Sequence, residues 1–163
     1  EYAYNTYAFL ADKNILNQPS KITEKVNGVV TSTSETKWKE ENSKAFPFQI
    51  WSGVETTKLL NEVTVVNNYG LVVEENDGKD IYNVNLMGYG NNYPVAKIGN
   101  ATYNDVISNL EVSQTALQTL STANLKLELL KLYSKLPKAV ITITLYDNNG
   151  NVINRIDTRK EEV

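Results

Sequence analysis

The dipeptide Asn27-Gly28, set between KITEKV and VVTSTSETKW, constrains the fold of this chain more than any other feature. Both residues tolerate positive φ, and a two-residue turn of that kind carries the twist that joins neighbouring antiparallel strands. The surrounding sequence agrees with it. Tyr2, Tyr4 and Thr6 fall on one side of a period of two, and FPFQIW, Leu59 to Val66, Leu71 to Glu74 and Ile81 to Leu86 read as further strands. NILNQPS, NNYG and NDGKD punctuate them as turns. A mainly β fold follows, a meander of antiparallel β-hairpins over 1–99.

The pattern changes at Asn100. Thr102 and Asp105 have capping-box spacing with Asp in the place of Glu, and Val106, Ile107 and Leu110 give about three turns of helix an apolar face. Ser113 to Leu120 predicts another helical turn or two. In STANLKLELLKLYSKLP, Leu125, Leu129, Leu132 and Leu136 recur at helical spacing, Leu127 and Leu130 widen the stripe, and Pro137 stops it. This stripe is a core face that packs on the sheet, in preference to a groove for a partner helix. A helical insertion at about 101–136 is therefore expected, in a segment 100–137. In KAVITITLY, Ile141, Ile143 and Leu145 face one way and Val140, Thr142, Thr144 and Tyr146 the other. The turn DNNG and the strand NVINRID close a hairpin over 138–163 that continues the same sheet.

Composition narrows the chemistry. The 163 residues are 41% hydrophobic, enough for one folded core, and carry a net charge of −3 with no single-sign field for nucleic acid or an anionic membrane. The chain has no Cys and no His, which removes thiolate catalysis, Cys-based zinc sites, disulfides and the usual Ser-His-Asp arrangement. No apolar run is long enough to span a bilayer as a helix. The start at EYAYNTYAF and the end at TRKEEV read as those of a processed or excised piece of a longer surface or secreted protein.

Four groups of residues have the composition of a site, and each also has a plainer reading. Glu74, Glu75, Asp77 and Asp80 cluster as the carboxylates of a glycosidase do, but a solvated Gly-containing loop is the expected reading. Asp147, Asn149 and Asn151 have the spacing that opens a calcium loop, yet Gly150 comes too early and Thr158 stands where a bidentate Glu belongs. Asn100-Ala101-Thr102 is a formal N-glycosylation sequon whose residues also suit a helix start, and the capping role is preferred. Trp38, Trp51, Tyr82, Tyr89 and Tyr93 form a candidate binding surface, since planar rings with polar edges stack on sugars; strand pairing of aromatics is the preferred reading. No catalytic residue, cofactor or metal is expected.

Leu145 to Asp157, LYDNNGNVINRID, resembles a YD repeat: Tyr146, Asp147, Gly150 and Val152 occupy the places of its Tyr-Asp, Gly and aliphatic residues. The stretch NLMGYGNNYPVAKIGNATYNDV, followed after a helical spacer by LPKAVITITLYDNNGNV, is similar to a block of RHS/YD-repeat proteins of Bacteroidota. Tyr89, Tyr93, Pro94, Ala96, Ile98, Asn100, Ala101, Thr102, Tyr103, Leu136 and Pro137 match its order. The resemblance covers roughly Asn85 to Asp157 and contains one recognisable YD unit. It implies a scaffold segment, at the start of or upstream of the repeats, in a large secreted or cell-surface protein whose hairpins wind into a curved sheet or shell. An effector delivered by a secretion system is the alternative location. The role implied is encapsulation, display or adhesion, sometimes ahead of a C-terminal toxin. Partners would be neighbouring segments joined by strand pairing; a carbohydrate- or protein-binding β module is the competing class.

Overall fold

A computed structural model describes residues 1–4 and 7–158. It divides into two compact units, Glu1–Asp80 and Ile81–Val163. The expected meander is present in each: every strand pairs antiparallel with its neighbour in sequence.

The first unit contains β1 (Tyr2–Tyr4), α1 (Ala8–Asp12), β2 (Pro19–Val26), β3 (Val29–Glu41), β4 (Lys44–Gly53), β5 (Thr57–Val66) and β6 (Val72–Asn76). Thr6, expected to extend the first strand, lies outside the described residues. The Asn27-Gly28 turn has φ of 52° and 81°, and Val26 pairs with Val29 across it. A second two-residue turn, at Asn42 and Ser43 with φ of 51° and 59°, closes β3 onto β4, where Glu41 pairs with Lys44. Few apolar side chains are buried in this unit: Leu10, Phe46, Val66 and Val73. Most strand positions on both faces are half-buried or exposed.

The second unit contains β7 (Tyr82–Gly88), β8 (Tyr93–Gly99), α2 (Tyr103–Asn109), α3 (Gln114–Leu117), α4 (Thr122–Lys135), β9 (Val140–Tyr146) and β10 (Val152–Ile156). All three helices begin on a hydroxyl cap: Thr102 accepts from Asp105 N, Ser113 from Ala116 N and Ser121 from Asn124 N. Asp105 returns the bond to Thr102 N at 3.1 Å, so the box expected with Asp is formed. Leu125, Leu129 and Leu132 are fully buried against Val84, Leu86, Ile98, Ile141 and Ile143 from the sheet, and Leu136 and Leu130 pack beside them. Leu127 does not widen the stripe; it is 62% exposed, because two residues from Leu125 the helix has turned to its outer side. Tyr133 ties α4 to the strands by donating to the carbonyls of Ile141 at 3.3 Å and Ile156 at 3.1 Å.

Glu128 is the one charged residue of α4 among the buried ones. Its carboxylate accepts the backbone N–H of Glu111 and a bond from Lys131 at 2.9 Å, pinning the segment between α2 and α3 onto α4. Burial pushes this carboxyl up, but the Lys131 bond and then the Glu111 and Val112 N–H groups outweigh it, so it rests below its ordinary 4.5. A depressed carboxylate stabilises the fold above its unfolded pKa and stops doing so as pH falls through its folded value. Glu111, lowered by Lys131 and Lys135, acts in the same direction. The urea midpoint is therefore expected to fall as pH drops below the ordinary carboxylate value of 4.5. Glu128→Gln should lower the midpoint at neutral pH and flatten that slope.

The unequal cores carry a second expectation. Local opening is easiest where few apolar contacts are buried, so amides of β2–β5 should exchange at least about tenfold faster than those of β7–β9. Hydrogen exchange followed by mass spectrometry reads this directly.

Candidate functional site

Of the five aromatic residues read as a candidate surface, Trp38 and Trp51 belong to the first unit and Tyr82, Tyr89 and Tyr93 to the second. Tyr89 and Tyr93 come together, and the residue that completes their cluster is Tyr146 of the YD-like segment. Tyr93 and Tyr146 stack with centroids 4.8 Å apart and planes at 21°. Tyr89 meets both edge-on, at 6.1 Å and 6.0 Å. Such geometries suit the ring quadrupole.

The cluster is assembled by an unusual turn. Tyr89, Gly90 and Asn91 follow one another with φ of 52°, 69° and 65°, three successive left-handed residues between β7 and β8. Gln118, at the end of α3, clasps them. Its carbonyl accepts from Gly90 N at 3.1 Å, its side-chain oxygen from Asn91 N at 2.7 Å, and its amide donates to Met87 O at 2.6 Å. This holds Tyr89 so that its hydroxyl donates to Thr122 Oγ1 at 3.3 Å and accepts from Tyr146 N at 3.2 Å. The Tyr146 hydroxyl donates to Pro94 O at 3.2 Å. Two of the three phenols are thus engaged with the protein's own groups. Burial, and then the neighbouring Tyr89 and Tyr93, push Tyr146 above its ordinary value, so it remains a neutral phenol at physiological pH.

The turn that follows Tyr146 uses its acid structurally. Asp147 accepts from Asn149 N at 2.9 Å, Asn151 N at 2.8 Å and Asn151 Nδ2 at 3.0 Å. These bonds, the Asn151 side chain foremost, hold its carboxyl below the usual carboxylate range. The residues spaced like a calcium loop therefore close on one another. Gly150, at φ 84°, lies against Tyr93 so tightly that a Cβ there would overlap the hydroxyl and stand 2.8 Å from Cζ.

The acidic run is not wholly a solvated loop, and this corrects the sequence reading. Glu74 is on β6 and only 6% exposed, accepting a bond from Thr64 Oγ1. Glu75, one residue on and therefore on the opposite face, accepts from Asn61 Nδ2 at 3.2 Å. Asp77 accepts from Lys79 N at 2.9 Å within the turn, and Asp80 is exposed at φ 62°. Strand alternation thus separates the first two carboxylates. Among the described residues, no three acidic groups stand together so as to hold a metal ion.

The remaining candidates have separate local roles. Asn100 is exposed at φ 61° and donates its N–H to Tyr82 O at 2.9 Å, while Thr102 of the sequon is engaged in the helix cap. Trp51 receives Lys37 Nζ over its ring at 4.8 Å and donates its indole N–H to Gln49 Oε1 at 3.2 Å. Trp38 pairs with Pro47 across a bulge, and its indole N–H is buried without a partner among the described residues.

Two residues outside the five read as a candidate surface are central here. Tyr146 carried a signal, since the YD-like motif names it. Gln118 carried none, because a Gln at a helix end is ordinary until the turn it clasps is known.

No protein-family model matches the chain. The search of curated proteins finds no match either.

Proposed function

We propose that this chain is a non-catalytic structural segment of a large secreted or cell-surface protein of the RHS/YD-repeat kind, serving encapsulation, display or adhesion. The observation that carries the reading is the use made of the YD-like residues. Asp147 folds the turn with its own carboxylate, Gly150 admits Tyr93, and Tyr146 stacks on that ring. The side chains that make the motif are spent on building a hairpin, which is what a repeating structural unit requires.

Strand β10 supports the same reading. It stands at the end of the strand order, and Val152 and Ile153 on it are 57% and 56% exposed. An edge strand that exposes apolar side chains is a template for another strand. The partner in this reading is a neighbouring segment of the same or an associated protein.

Sedimentation velocity over a concentration series tests it. The purified chain is expected to associate as concentration rises, and Ile153→Lys should suppress that association without lowering the melting temperature. A monomer at every concentration that also ignores added YD-repeat segments would count against the proposal.

A further inference from the structure

We draw no further inference here: the strongest candidate, the half-exposed face of β3 and β4 that carries Trp38, Phe48 and Ile50, is an unpartnered apolar surface, and nothing in the structure shows what covers it.

Discussion

Leu129→Ala is expected to lower the unfolding free energy of the second unit by about 2–5 kcal/mol. Leu129 is fully buried among Leu125, Leu132 and the inward side chains of β7, β8 and β9, so truncation leaves a cavity that a helix pinned on both sides cannot close. Tyr133 bonds α4 to the carbonyls of Ile141 and Ile156, and Glu128 bonds it to the segment before α3, which limits collapse. Leu127→Ala is the control. Two residues away on the same helix but 62% exposed, it should change stability by no more than about 0.5 kcal/mol. Equal losses from the two substitutions in urea denaturation would show that α4 does not seat its leucine stripe on the sheet.

Gly150→Ala should be nearly as damaging. The left-handed conformation at φ 84° costs a non-glycine residue about 1–2 kcal/mol. The added methyl also meets Tyr93, and forcing an extra carbon into packed space costs about 1–3 kcal/mol more. The Tyr93→Phe background removes the hydroxyl from the collision but leaves Cζ at 2.8 Å, so it should restore part of the loss. A double-mutant cycle measures this coupling. Additivity of the two changes would mean that the turn does not rest on that ring.

Much of this architecture was legible from residue patterns. The Asn27-Gly28 hairpin could be read because two adjacent residues that tolerate positive φ leave few other conformations between strands. The helix from Ser121 was equally plain, since a leucine every three or four residues followed by Pro has one structural meaning. The turn at Asn42-Ser43 was missed because Ser is a poor marker of positive φ, although Asn before it was a partial signal. Short α1 was missed because one buried side chain, Leu10, anchors it, and five residues are too few to establish a period.

The candidate surface was legible only in part. Aromatic residues on alternating strands announce that rings will be near one another, not which ones. Tyr89 and Tyr93 are neighbours, but their partner Tyr146 lies 53 positions beyond Tyr93 in the chain and joins them through the pairing of β8 with β9. The run from Glu74 misled because its composition is that of a loop. Burial of Glu74 depends on Thr64, which reaches it from the adjacent strand and leaves no trace in the local pattern.

The sparse burial on the strands of the first unit has a further consequence. Where one face of a sheet is packed against a core, slipping by a single residue would turn every apolar side chain to water, so the core itself dictates alignment. Strands β2 to β5 lack that enforcement, and their alignment rests on Asn27-Gly28, Asn42-Ser43 and the bulges at Trp38 and Trp51. Chemistry on the two faces is thereby uncoupled from the geometry that carries it. Side chains there can be exchanged with little effect on strand alignment so long as these few corner residues stay.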